Sequence, residues 1–504
     1  MTSDIALLPV DARPVTRLLP AQLINVAGRS VRLPDKEILG FLKEPGDVAA
    51  LHEWLRQQVH QVKGFVLSID MLIYGGLVPS RVSPIDLSEA KKRLNLLKEL
   101  KLENPDCLIF AYSTTMRLSN SYVNEEEKDY WSEFGKELWK LSFHSHRLEQ
   151  TGEPDSQRVI EEVTRAIPSH IIKDYTETRK RNFLLNQYLL DEVENEVIDL
   201  LVFPQDDTSE YGFNISEQQQ LSQLADEKKL FDQVLIYPGA DEVASVMATR
   251  MVFELAHEPL PSFYPIYSGE KGSLLNAMYE DRPIAESVKG QVHALGASCE
   301  DEIKEADIVL AVNVPGKKQG DLALQLDLNG VHTADRNLGE WLHRMDRYIN
   351  KGKEVAVADV AYANGADPAV IPRLLNKINW KELLSYAGWN TAGNTIGTVV
   401  AQSALVYLAK KEKKNFQKKN EEVLVLRMLE DYLYQTVIRK IVRETAPEGE
   451  KSVDLEGRVS RIFLERSQEW LMTNDMNQFL ISDVHLPWKR TFEIGFLVQQ
   501  RKDE

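Results

Sequence analysis

LLVFPQDDTSEYGFNISEQQQLSQLADEKKLFDQVLIYPGADE, residues 200–242, holds an apolar run, a polar turn, an amphipathic stretch and a second apolar run. Leu200 to Phe203 and Val234 to Tyr237 are uninterrupted apolar segments of strand length, and Ser216 to Leu230 between them spaces its apolar residues as a helix does. A continuous apolar strand that feeds a helix and then another such strand is the repeating unit of a parallel sheet covered on both faces.

The same rhythm extends in both directions. Ile5 to Val10, Phe65 to Ile69, Leu108 to Tyr112, Ile308 to Val312 and Val355 to Ala358 are further runs, and Tyr264 to Tyr267 and Leu383 to Tyr386 are weaker ones. Ser88 to Leu102 and Glu242 to His257 read as amphipathic helices between them. Eight or nine such strands predict an α/β fold, a (β/α)8 TIM-like barrel. The alternative is an open doubly wound parallel sheet, because residues 262–312 can form a small βαβαβ unit. The segment at about 120–190 breaks the rhythm with charged, aromatic, helical sequence and reads as an insertion between two strands. The lysine-rich KKEKKNFQKK, residues 410–419, reads as a solvated helix face or junction. The expected organisation is a catalytic α/β domain over 1–409 and a mainly helical C-terminal region over 410–504.

Composition narrows the function. In 504 residues, 43% hydrophobic and 27% charged, disorder is not expected. A net charge of −17 argues against nucleic acid or an anionic membrane as partner. No uncharged apolar stretch approaches the roughly 18 residues of a membrane span, and the N-terminus lacks the basic start and apolar run of a signal peptide. The expected location is cytoplasmic. The two cysteines, Cys107 and Cys299, have no partners at metal-ligand spacing. His144 and His146, two apart in a helical stretch, read as surface residues rather than zinc ligands. No P-loop, dinucleotide-binding glycine motif or nucleophile elbow occurs, and no cofactor is expected.

The chemistry is concentrated just past the strands, where parallel α/β folds bind ligands. Asp206 and Asp207 follow the run that ends at Phe203. Beyond a strand's last ladder residue both side chains can turn into a cleft, and two acids there can be tuned to different protonation states, as glycoside hydrolysis requires. The competing reading has one of them capping the next helix or binding a basic neighbour. Asp241 favours a helix N-terminus but can also face the site. Asp11 and Arg13 pair structurally or hold substrate hydroxyls, and Asp70 is similar, with Tyr74 and two glycines close behind it. Arg81 and Arg117 read as anchors for an anionic group or for the acids themselves. Asp359 and Asn364 follow a late strand. Trp389 and Asn390, with Asn394, read as a sugar platform and polar hand, against core packing for the tryptophan. No metal ligand set is assigned, although Asp11, Asp70, Asp206, Asp207 and Asp359 supply hard oxygens.

The blocks LPVDARP, LIYGGLVPSR, FAYSTTMR, FPQDDTSEYGFN, YPGADEVA and AGWNTAGNTIGT occur in this order, and together they resemble a bacterial family catalogued only as a domain of unknown function (number 4127). The order of blocks also resembles, more weakly, the barrel of O-GlcNAcase-type retaining N-acetylglucosaminidases, in which an Asp-Asp pair follows the fourth strand. That resemblance implies that Asp206 orients a 2-acetamido group that itself attacks the anomeric carbon. It further implies that Asp207 is general acid and then base, that Asn390 and Asn394 hold hydroxyls, and that Trp389 stacks. Gln205, Thr208 and DVAYANGAD depart from that pattern. The expected function is a glycoside hydrolase acting on a small carbohydrate, with an N-acetylated amino sugar among the candidates. The alternatives are a carboxylate-ligated metal-dependent hydrolase and a non-catalytic carbohydrate-binding protein.

Overall fold

The computed structural model describes residues 4–445 and 454–501. Residues 1–3 of the expected first domain, and 446–453 and 502–504 of the expected C-terminal region, lie outside the described residues. All nine apolar runs are strands. They form β1 (Ile5–Leu8), β3 (Gly64–Ser68), β4 (Leu108–Tyr112), β5 (Leu200–Gln205), β6 (Val234–Pro238), β7 (Phe263–Tyr267), β8 (Ile308–Asn313), β10 (Glu354–Asp359) and β12 (Leu383–Ala387). Two-residue strands complete the parallel set: β2 (Val31–Arg32), β9 (Gly320–Asp321) and β11 (Tyr362–Ala363).

The hydrogen-bonded ladders sort the nine into two parallel sheets. One has the order β2-β1-β3-β4-β5-β6 and the other the order β12-β10-β8-β7, while β9 and β11 pair separately. The protein is therefore an α/β fold built on parallel sheets and helices. β1, β3, β5, β8 and β12 are buried along their whole length, as strands covered on both faces must be.

The chain divides into two compact units. The first comprises Met1–Ala12, Ser30–Ala244 and Tyr279–Asp281; the second comprises Arg13–Arg29, Ser245–Met278 and Arg282–Glu504. In the first unit the core packs Leu8, Phe65, Leu67, Ile109, Leu201 and Phe203 against helix residues such as Leu51, Leu97 and Leu189. Between β4 and β5 stand the helices Trp131–Thr151, Pro154–Ala166 and Ser169–Glu194. They carry a small core of their own around Trp131 and Tyr175, whose rings lie 5.6 Å apart.

In the second unit Trp341, Val355, Val357 and Tyr386 anchor the core. KKEKKNFQKK closes the helix Ala392–Lys411 and turns into the helix Gln417–Arg427. Its lysines pair at this junction, Lys410 with Glu354 at 2.5 Å and Lys411 with Glu258 at 2.7 Å. The C-terminal region is helical through Leu455–Thr473 but ends in an unexpected antiparallel hairpin, β13 (Phe479–His485) and β14 (Gly495–Gln500). Among the described residues, no helix is long and apolar enough to cross a membrane.

Candidate functional site

In the first unit β2 and β3 flank β1 on opposite sides, and parallel α/β folds bind ligands past the carboxyl ends of their strands. β3 ends at Ser68, whose Oγ accepts from the Met71 amide at 3.1 Å and caps the helix Ile69–Tyr74. Asp70 thus sits in the first turn of that helix, fully covered, and accepts the Thr114 amide at 3.0 Å from the loop after β4. The helix ends at Gly75, with φ +80°, and a second short helix, Leu77–Val82, brings in Arg81. The loop after β4 runs alongside β5 through a Thr115–Gln205 bridge and carries Arg117. β5 extends to Gln205, so Asp206 and Asp207 are the first residues beyond it.

These four side chains meet. Arg81 donates to Asp206 Oδ2 at 2.5 Å, and Arg117 donates to Asp207 Oδ2 at 3.1 Å. Glu126 and Glu127 complete the cluster. Arg117 lies 3.2 Å from Glu126 and 2.9 Å from Glu127, and Arg81 lies 3.4 Å and 3.6 Å from the same two acids. Neither glutamate was singled out in the sequence, where they belong to the charged run Glu125-Glu126-Glu127 of the insertion. A run of acids directly after two arginine-bearing blocks was the available signal.

The environments of the two aspartates differ. Although 32% of the Asp207 side chain is exposed, the surrounding protein and the Asp206 charge together raise its carboxyl to about 7, with Arg117 opposing. The backbone at Asp207 is left-handed, with φ +40°, a conformation that a non-glycine residue adopts at a cost in free energy. Thr208 holds that turn by donating its amide to the Tyr279 carbonyl at 2.8 Å. Burial raises Asp70 to about 6, against the bonds from Thr114. Tyr74 is raised to about 12 by burial; its hydroxyl donates to Asn182 at 3.0 Å and Arg181 lies over its ring at 4.7 Å. Asp11 is buried just past β1, and Asp241 is half-buried in the turn before the helix Val243–Ala256.

The remaining expected residues belong to the second unit. Arg13, Asn364, Trp389 and Asn390 line a small recess together with Glu430, Gln435, Phe492 and Glu493, which the sequence reading missed. Trp389 is nearly covered and donates its indole N–H to Thr398 at 3.2 Å, so its packing role and its wall position coexist. Asn394 lies in the first turn of the helix Ala392–Lys411 and donates to the Thr391 hydroxyl at 3.1 Å. Asp359 is wholly buried and accepts from Asn313 at 2.7 Å and from the Asp367 amide at 2.8 Å. Burial and the neighbouring Asp367 charge raise its carboxyl, and Arg336 bonds Asp367 at 2.5 Å.

His144 and His146 lie on one helix as expected, but His146 is buried rather than at the surface. Its Nδ1 accepts the Gly212 amide at 3.2 Å, which ties the insertion to the loop after β5. Among the described residues, no group of three or more His, Cys, Asp or Glu side chains is placed to hold a metal ion. Comparison with curated proteins and with solved structures gives no match. The sequence blocks that carry Asp11, Arg81, Arg117 and Asp207 are part of one longer match spanning residues 5–496, by which the chain belongs to the family described as protein of unknown function (DUF4127).

Proposed function

We propose that the chain is a cytoplasmic acid–base hydrolase of a small glycoside. The observation that carries the reading is the asymmetry of the doublet, in which Asp207 is raised to about 7 while Asp206 accepts a 2.5 Å bond from a buried arginine. Near neutral pH a carboxyl so raised can deliver a proton to a departing glycosidic oxygen and then recover one from water. Asp206, fixed by Arg81, is positioned to orient the substrate, and an N-acetylated amino sugar would offer it an amide N–H. Arg117 tunes Asp207 by opposing the rise in its pKa.

We also infer that the six-stranded sheet is open and doubly wound rather than part of a closed barrel, a reading supported by its strand order. The glycosidase assignment therefore rests on the carboxylates and not on barrel analogy. The arginines favour one competing reading, a non-catalytic carbohydrate-binding protein, since both aspartates are already engaged by guanidinium groups. A panel of chromogenic glycosides that includes an N-acetylglucosaminide, assayed with and without chelator, separates these readings. Turnover that survives chelation and disappears in Asp207→Asn is expected. Turnover unchanged in that variant would sink the assignment, silence across the panel would favour binding alone, and chelator-sensitive turnover would favour a metal-dependent hydrolase.

A further inference from the structure

Gln205 and Thr208, the residues on either side of the aspartate doublet, play no part in the hydrolytic reading, and both bond to the same neighbour. That neighbour is Tyr279–Asp281, a short stretch that belongs to the first unit although the preceding part of that unit ends at Ala244. The Tyr279 carbonyl accepts the Thr208 amide at 2.8 Å and the Thr208 hydroxyl at 3.0 Å, so backbone and side chain of one residue converge on one oxygen. On the other side the Asp281 carboxylate accepts Gln205 Nε2 at 3.2 Å and Gln218 Nε2 at 3.4 Å, and Gln205 also donates to Gln218 Oε1. Hydrogen bonds to an ionised acceptor are the stronger kind. Gln205, the last residue of β5, is buried, and so is Thr208. Asp206 and Asp207 thus form an arch with both feet tied to Tyr279–Asp281.

The backbone shows why such ties matter. Asp207 is left-handed, and Tyr279, with φ +67°, is left-handed as well. Non-glycine residues stay in that region only where surrounding structure over-determines them. Released, Asp207 would relax to negative φ, which turns its Cα–Cβ bond and carries the carboxyl away from Arg117. Bonds further along, from the Gly212 amide to His146 and from the Phe213 amide to Ser142, fix the far end of the loop rather than this turn. A reacting group has to be held within about 0.5 Å of its working geometry, and hydrogen bonds to its supporting residues are what hold it.

We propose that Tyr279–Asp281 is the positioning element of the doublet. Asp281 acts through Gln205, and the Tyr279 carbonyl through Thr208, to hold the turn that sets Asp207 against Arg117. The effect on turnover rests on the acid–base reading of the doublet, whereas the effect on geometry does not.

Asp281→Ala combined with Thr208→Val removes the side-chain ties and leaves one amide bond to hold the strained turn, while Thr208→Ser keeps the hydroxyl. Crystal structures of the full-length variants, with kinetics on a cleaved glycoside, test the proposal. In the double variant Asp207 is expected to leave the left-handed region and to lose its bond to Arg117. There kcat should fall by about tenfold to a hundredfold with KM within about twofold of the parent. Thr208→Ser is expected to keep both the turn and the parent kcat. If the double variant does not fold, the single substitutions, checked by their melting curves, carry the same comparison. A turn unchanged in every folded variant that has lost a tie would overturn the proposal, and so would a relaxed turn with kcat unchanged on a glycoside whose cleavage requires Asp207. A relaxed turn in a chain whose turnover ignores Asp207→Asn, or that cleaves no glycoside, would uphold the positioning and count against the hydrolytic reading alone.

Discussion

Replacing Arg81 with methionine keeps most of the side-chain volume and removes the charge. Arg81 is 1% exposed, and its partners Asp206 and Glu127 are 16% and 3% exposed, so these groups interact largely away from water. The substitution deletes the 2.5 Å bond to Asp206, the 3.2 Å bond to the Glu126 carbonyl and the contacts to both glutamates. Arg117 alone would then face Glu126, Glu127, Asp206 and Asp207. Breaking a buried pair by removing one partner destabilises by about 3–5 kcal/mol, chiefly through the charge left behind. For a unit of this size, with an m value of about 3 kcal/mol per molar urea, that is a midpoint lower by about 1 M. Urea unfolding followed by tryptophan fluorescence measures it. The stranded carboxylates take up protons as pH falls, so the deficit should shrink between about pH 7 and pH 4. Adding Asp206→Asn to Arg81→Met should restore about 1–3 kcal/mol. A deficit under about 1 kcal/mol, or one equal at both pH values, would refute the reasoning and leave the cluster energetically equivalent to exposed ion pairs.

If Asp207 is the proton donor, kcat/KM on a cleaved glycoside falls as pH rises through about 7, because the protonated form is lost. Arg117→Ala removes the charge that opposes this rise, so the descending limb should move to higher pH; a limb that stays put or moves to lower pH would contradict the assignment. Gly75→Ala should lower stability by about 1–3 kcal/mol in a thermal melt, through the strain of a left-handed alanine. Its Cβ would also lie 2.6 Å from the Gly46 amide nitrogen. Trp341→Ala empties the core of the second unit at a fully covered position and should remove about 3–5 kcal/mol by chemical denaturation.

Most of the nine long strands were legible because they are continuous apolar runs, as burial on both faces requires, while β7 is only half-covered and β12 is interrupted by Ser385, which made their signals weaker. How they group was not legible. Nine βα-type runs are compatible with one ring or with separate sheets, and the ladders place β1, β3, β4, β5 and β6 in one and β7, β8, β10 and β12 in another. The hairpin β13–β14 escaped because FLISDVH carries two acidic or basic side chains and follows a long helical pattern. At the site, Asp206, Asp207, Arg81 and Arg117 stood out by following strands. Glu126 and Glu127 come from an irregular segment whose position depends on tertiary packing. The left-handed turn at Asp207 has no sequence signature, since glycine or asparagine is the usual sign of one.

The way the second unit draws on the chain has a consequence for synthesis. The helix Pro14–Val26 emerges from the ribosome more than three hundred residues ahead of the helices it packs against, and its apolar face includes Leu19, Leu23 and Ile24, all buried in the finished protein. The helices it packs against, Ala392–Lys411 and Gln417–Arg427, are among the later elements to appear. At about 5–20 residues per second, that amphipathic segment waits on the order of half a minute for its partners, while the first unit can close once residue 281 is made. During that interval it is an early-made adhesive strip, and chaperone occupancy or premature aggregation should concentrate there.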